Sequence, residues 1–306
     1  MSALAHVSSA GGTTPPPAPQ PNRKGRSWVP YLLLLPGALW LLVFFVIPLG
    51  QLFSVSLQSQ FPGYPGYYYR DVNVGNYWRA LTEFAPHFGR SLLFAGLATF
   101  FAFCLAYPLA YAMAFKAGRW RGVMMILVIA PFFISFLLRT LAWKQLMADD
   151  TPLVQALKSL SVLPADGHLT GTAFSVIFGL TYNFLPFMTL PIYTTLERLD
   201  TRYLEAGADL YASPATTFWK VTLPLSLPGI VSGTLLTFIP ASGDYINASS
   251  SFLGSAQTQM VGNAIEANFL GLLNYPEAAA LSVILMGLIL VIVGIYVRRT
   301  GTEDLL

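Results

Sequence analysis

Charge is what this sequence has least of. Its 17 basic and 14 acidic residues make 31 in a chain of 306, or 10%, where an ordinary soluble domain carries about 25%. A fold facing water on all sides needs more polar surface than that, so a soluble enzyme is excluded. Cysteine is nearly absent: Cys104 stands alone in an apolar run, which excludes an intrachain disulfide and a cysteine metal site. His6, His87 and His168 are far apart, and none has a partner at ligand spacing. The pI of 8.9 does not point to nucleic acid, because the basic residues form no stripe or reading motif. No Gly-x-x-x-x-Gly-Lys-Ser/Thr loop occurs, so the chain does not hold ATP by that device, and no His-Glu-x-x-His or Gly-x-Ser-x-Gly appears.

What the chain has is apolar length. Hydrophobic residues make up 55%, and they are grouped into runs that match the roughly 20 residues a helix needs to cross a hydrocarbon core of about 30 Å. Six spans are expected, at Tyr31–Val55, Ser91–Phe115, Gly122–Leu138 continuing to about Trp143, Gly171–Leu196, Val221–Gly243 and Ala278–Val297. Backbone groups in lipid must pair internally, and these runs lack the alternation of barrel strands, so an all-α integral membrane fold follows. The uncharged stretch Tyr245–Ile265, with its Asn, Ser and Gln residues, reads as an external loop with short helical pieces, partly re-entrant.

Lys and Arg in the connecting loops set the orientation. With a cytoplasmic N-terminus the inside holds Arg23, Lys24, Arg26, Lys116, Arg119, Arg121, Arg198, Arg202, Lys220, Arg298 and Arg299, eleven in all. The outside holds five: Arg70, Arg79, Arg90, Lys144 and Lys158. Both termini are therefore placed in the cytoplasm. Residues 1–27, rich in Pro, Ser, Ala and Gly, read as a disordered tail, 28–300 as the membrane domain, and 301–306 as a second tail. A signal peptide fits poorly, since the first apolar run is long and lacks a convincing cleavage site.

The longest inside connection falls between the fourth and fifth spans, within 197–224. Asp200 or Thr201 can cap a short helix containing Tyr203, Leu204, Ala206, Gly207 and Leu210. Ser213-Pro214 then starts a second helix, and Leu223-Pro224 marks the return to the membrane. Two readings stay open on pattern alone: a helix–turn–helix that docks in another protein's groove, or an amphipathic connector on lipid headgroups.

Glu205-Ala206, a four-residue gap and Tyr211, then Val221-x-Leu223-Pro224, resemble the signature loop of permease subunits of binding-protein-dependent ABC importers. Gly207 stands where that family usually has a second alanine, and Tyr211 where it has the glycine of a tight turn. PFFISFLLRTLAW (131–143), YNFLPFMTLPIYTTLERLD (182–200), IPASGDY (239–245) and the 261–282 pattern VGNAIEANF…NYPEAAALS are similar to the spermidine/putrescine branch. The resemblance implies a type I importer transmembrane domain in a bacterial inner membrane. Its partners would be a pair of ATPase subunits, a second and distinct permease, an extracytoplasmic solute-binding protein and membrane lipid. No cofactor is implied for this chain, because ATP and Mg belong to the ATPase. Glu205, Ala206, Gly207, Asp209, Leu210, Tyr211, Leu223 and Pro224 would couple to that ATPase.

Candidate pathway residues are Asp244, Tyr245, Tyr182, Asn183, Glu266, Arg139 and Trp143. A charge at membrane depth marks function or a buried pair. Asp244 reads as an acceptor for a ligand ammonium with Tyr245 adding a cation–π face, or as a helix-end residue, or as the partner of Arg139. Arg139 either snorkels to the interface beside Trp143 or gates through a salt bridge. Tyr182, Asn183 and Pro186 form a polar break or merely pack helices. Asp71, Glu83, Asp149, Asp150, Asp166, Glu266 and Glu277 give an acidic mouth that would steer a polycation, or are solvated loop charges; Glu266 is singled out because it lies in a matching stretch. Other small solutes, and a stand-alone secondary carrier, are the alternatives to a polyamine importer.

Overall fold

In the computed structural model the described residues are 28–300, so both expected tails lie outside them. Helix α1 covers Pro30–Ser56 and α2 Gly75–Glu83, with a two-stranded hairpin between them. Its strands β1 (Ser59–Gln60) and β2 (Tyr68–Tyr69) pair antiparallel, Ser59 opposite Tyr69. Next come α3 (Ala85–Phe115), α4 (Arg121–Ile129), α5 (Phe136–Leu146), α6 (Pro152–Ser159) and α7 (Ala173–Glu197). After α8 (Arg202–Asp209) and α9 (Pro214–Leu225) the chain continues through α10 (Leu227–Ser242), α11 (Val261–Glu266) and α12 (Tyr275–Thr300).

By its contacts the chain divides after Pro48 into two units. The first holds the N-terminal part of α1, whose leucines, phenylalanines and Trp40 are exposed, as suits surroundings of hydrocarbon rather than water. A π turn at Leu42–Val46 precedes Pro48, which has no N–H for the carbonyl four residues back.

In the second unit α3 and α7 form the centre. Ala95, Ala98, Ala102, Ala106 and Ala110, three or four residues apart, are wholly buried on one face of α3. They meet Val176, Leu180, Phe184, Met188 and Ile192 of α7. Hydrocarbon gives no hydrophobic drive between helices, so close backbone approach over small residues has to supply the cohesion. Thr172 caps α7 by accepting from the Ser175 amide, with Ser175 reciprocating to the Thr172 amide.

Four helices are long and apolar enough to cross a bilayer unbroken: α1, α3, α7 and α12. The other two expected spans are bent pairs, and the total of six holds with each pair taken as one. The continuous third span is a correction. Residues 118–133 and α5 meet at 96°. The helix tightens to a 3₁₀ turn at Ala130–Phe133, and Ile134 and Ser135 are extended. The fifth span is likewise bent by 62° at Ser226, so its straight part starts at Leu227 and not at Val221. The polar stretch Tyr182, Asn183 and Pro186 lies within an unbroken helix, α7 being helical through both Pro186 and Pro191. The stretch after α10 does contain helical pieces, α11 and a π turn at Ala267–Gly271.

Candidate functional site

Two places gather the residues singled out in the sequence. The first is the connection from α7 to α10. Asp200, of the two expected caps, is the one whose side chain works: its Oδ1 accepts from the Arg202 amide at 3.0 Å. At the far end of α8 Tyr211 takes the left-handed conformation, φ +56°, and the Ala212 amide reaches back to the Gly207 carbonyl at 3.0 Å. That is a Schellman-type closure with tyrosine where glycine is usual. The turn geometry therefore survives the substitution, and the phenol, 99% exposed, meets no neighbour that would forbid it. Ser213 then caps α9, its Oγ accepting from the Thr216 amide at 3.2 Å.

Gly207 has a packing reason to lack a side chain. A Cβ there would lie 3.0 Å from Thr217 Oγ1 and 3.3 Å from its Cγ2, so the glycine lets α8 and α9 lie against each other as one piece. Tyr203, Leu210, Tyr211 and Trp219 project from this piece, largely exposed. Glu205, Ala206 and Asp209 are exposed too, while Leu223 is half-buried against the core at the base of the return helix. Pro224 sits in the last turn of α9. Exposed apolar side chains of this kind on a polar connection suit cover by a partner protein or by lipid headgroups.

The segment's two ends are tied to the membrane helices. Glu197, closing α7, pairs with the Arg121 guanidinium, and Arg121 Nε donates to the Tyr193 hydroxyl. At the 62° bend Ser226 Oγ donates to the Leu223 carbonyl at 2.8 Å, leaving it to accept from the Tyr107 hydroxyl at 3.0 Å. Sequence reasoning counted Arg121 only as an inside charge.

The second place is a polar core where α5, α7 and the loop after α10 meet. Asp244 is 7% exposed. Its Oδ1 accepts from the Asn247 amide at 2.8 Å and its Oδ2 from Asn247 Nδ2 at 3.0 Å. Asn183 Nδ2 donates to Asn247 Oδ1 at 3.1 Å and to Thr140 Oγ1 at 3.3 Å. Gly179 makes room for this: a Cβ there would lie 2.6 Å from Asn247 Oδ1. Asn247 and Thr140, which hold the core together, were missed, since nothing in spacing links residues from three distant segments.

Tyr245 is exposed beside this core, and its carbonyl accepts from Asn263 Nδ2 at 2.6 Å. Tyr182 stacks edge-on against Trp143 with centroids 5.2 Å apart, and Trp143 also meets Phe178. Arg139 does not snorkel: it is 7% exposed, its guanidinium lies over the rings of Phe132 and Phe136, and its Nε and Nη1 have no partner. Among the described residues no ion pair joins it to Asp244. Glu266 lies half-buried at the end of α11, apart from these groups. Glu277 is a correction as well. Read as a solvated acid, it is 4% exposed and pairs at 3.2 Å with Arg79, which in turn donates to Asn76 Oδ1 at 2.8 Å.

Comparison with known proteins agrees with this layout. The family model described as "Binding-protein-dependent transport system inner membrane component" matches residues 27–299. The spermidine/putrescine transport system permease protein PotB of Haemophilus influenzae is 33% identical over 273 residues, 89% of this chain and 90% of the relative. PotB of Escherichia coli K12 is 36% identical over 205 residues, 66% and 74% of the two chains. The Escherichia coli inner membrane ABC transporter permease protein YdcU is 33% identical over 231 residues, 71% and 72%. Among solved structures, a chain of a bacterial ABC transporter that imports alginate superposes with a TM-score of 0.66 at 17% identity, covering 91% of this chain and 97% of its own. A chain of the inward-facing MetNI methionine ABC transporter does so at 0.52 and 19%, covering 70% and 94%. With a type I importer fold, six candidate crossings and a family match over nearly its whole length, this chain belongs to the inner membrane components of binding-protein-dependent transport systems, as a multi-pass permease.

Proposed function

We propose that the chain is one permease subunit of an ATP-driven importer of polyamines, spermidine or putrescine, received from an external solute-binding protein. The 33% identity to a spermidine/putrescine permease over nine-tenths of both chains supports the substrate class. In this reading the 197–224 segment faces the cytoplasm, as do both termini, and docks on one subunit of an ATPase pair that supplies all nucleotide chemistry. A second, distinct permease completes the pathway.

The observation that carries the coupling role is the segment itself. Its two short helices approach closely at Gly207 and Thr217, its apolar side chains stand uncovered, and its ends connect to α7 through a short turn and to α10 through the 62° bend. Closure of the ATPase pair on ATP would displace it as a body and turn the helices between inward- and outward-facing states. On the pathway, Asp244 supplies fixed negative charge at membrane depth and the exposed Tyr245 ring a cation–π face. Asn183, Tyr182, Trp143 and Arg139 shape the route around them, and Glu266 stands on the route apart from this group, at the end of α11.

Gly207→Trp is the direct test. Parting α8 from α9 should lower ATP-driven uptake by about a hundredfold, near the upper end of site-to-site coupling, while membrane insertion and the amount of chain stay normal. Unchanged uptake and stimulated ATP hydrolysis in the purified complex would end the coupling role.

A further inference from the structure

We infer that Arg121 and Tyr107 are positioning residues for energy coupling, clasping the two ends of the 197–226 segment to the transmembrane core so that its displacement reaches α3 and α4. The inference rests on the coupling reading above and assigns roles to residues outside the signature loop.

At the first clasp Arg121 meets two residues of the last turn of α7. Tyr193 and Glu197 are four apart, hence on one helix face. The guanidinium pairs with the Glu197 carboxylate and donates through Nε to the Tyr193 hydroxyl. Tyr193 is completely buried, so the arginine is fixed to a point that cannot yield. A planar guanidinium makes both contacts at once from nitrogens held in fixed geometry, which a single ammonium nitrogen does not.

At the second clasp the buried Tyr107 hydroxyl of α3 bonds Ser226 at the bend where α9 turns into α10. Phe218 of α9 packs edge-on against the Tyr107 ring at 5.6 Å. Between the clasps the segment is braced internally by the Gly207–Ala212 hydrogen bond, and α8 approaches α9 closely enough at Gly207 that a Cβ there would crowd Thr217. One apolar cluster joins all the elements involved: Tyr107 and Met113 of α3, Met124 and Val128 of α4, Ile192 and Leu196 of α7, and Phe218 of α9.

A push on the segment therefore has two routes into the membrane. The route through Arg121 leads to α4, and α4 ends at the extended residues Ile134 and Ser135, where the chain turns by 96°. That corner lets α4 tilt with the segment while α5, carrying Arg139 and Trp143, keeps its place in the polar core.

A half-exposed ion pair adds little to stability, so a purely structural role predicts little change on losing Arg121. The experiment uses the complete transporter in proteoliposomes, with ATPase, second permease and binding protein, and reads polyamine uptake and ATP hydrolysis together. Arg121→Glu should cut uptake per ATP by about tenfold, with the ATPase still bound and basal hydrolysis unchanged. The exchange Arg121→Glu with Glu197→Arg should bring the ratio back to within about threefold of normal, the residual loss coming from Tyr193. Arg121→Gln, which keeps a donor for Tyr193 and removes the ion pair, gives an intermediate ratio and serves if the reversal does not insert. Tyr107→Phe should lower the ratio by about threefold, one hydrogen bond's worth. A wild-type ratio in both Arg121 variants, or no recovery in an assembled charge exchange, overturns the inference. Failure of the unaltered chain to bind any ATPase would instead overturn the coupling reading beneath it.

Discussion

The 197–226 segment and the polar core around Asp244 satisfy their polar groups in opposite ways. Between its anchored ends at Glu197 and Ser226 the segment's bonds close within a few residues, from Asp200 to Arg202, from Ser213 to Thr216 and from Gly207 to Ala212. Its side chains are left free for something outside the chain. In the core the bonds run between distant parts: Thr140 on α5, Asn183 on α7, and Asn247 with Asp244 after α10. Nothing there is left over except the Asn183 Oδ1 and two nitrogens of the neighbouring Arg139. A locally closed element can move as a body without losing a bond. A network drawn from three segments cannot, and it fixes those segments to one another.

That contrast can be broken by experiment. The largest effect on stability should come from the core. Asn247→Leu strips Asp244 of its side-chain donor and leaves a buried carboxylate underpaired, at about 2–4 kcal/mol. Thermal unfolding of the purified chain in detergent should show the loss, with uptake falling alongside. In the segment, Ser213→Ala removes a cap at about 1 kcal/mol; hydrogen exchange should speed up at residues 213–217, with global unfolding unmoved. If the Ser213 variant destabilises the whole chain as much as the Asn247 variant does, the two regions do not differ as described. The smallest effect sharpens the picture: Tyr211→Gly relieves a left-handed tyrosine, worth about 1 kcal/mol less the extra freedom glycine has when unfolded. Exchange in 202–212 should slow slightly or stay the same, and faster exchange would mean that the phenol contributes contacts of its own.

The same contrast explains what could be read from the sequence. Apolar runs announce membrane helices because length and composition alone decide the matter, so the number of spans is legible. The caps at Asp200 and Ser213 are legible because their partners lie two and three residues on. The 96° corner is not, since residues 131–138 are apolar on both sides of it and hydropathy carries no direction. The continuity of α7 through Pro186 goes with its packing against α3 along much of its length. Asn247 was read as loop polarity, Glu277 as a solvated acid and Arg121 as a topology marker, because the groups that bury or pair them come from remote segments. At Tyr211, where the resembling family has glycine, a single left-handed residue with an unobstructed side chain still closes the turn.

Position 207 carries one last implication. The methyl group it lacks is in effect supplied from across the gap by Thr217, so the two positions share a single volume. Alanine at 207 therefore asks Thr217 to give by a few tenths of an ångström, and a slimmer residue at 217, such as serine or alanine, relieves that crowding. Substitution at either site alone measures an imbalance between two neighbours rather than the worth of one residue.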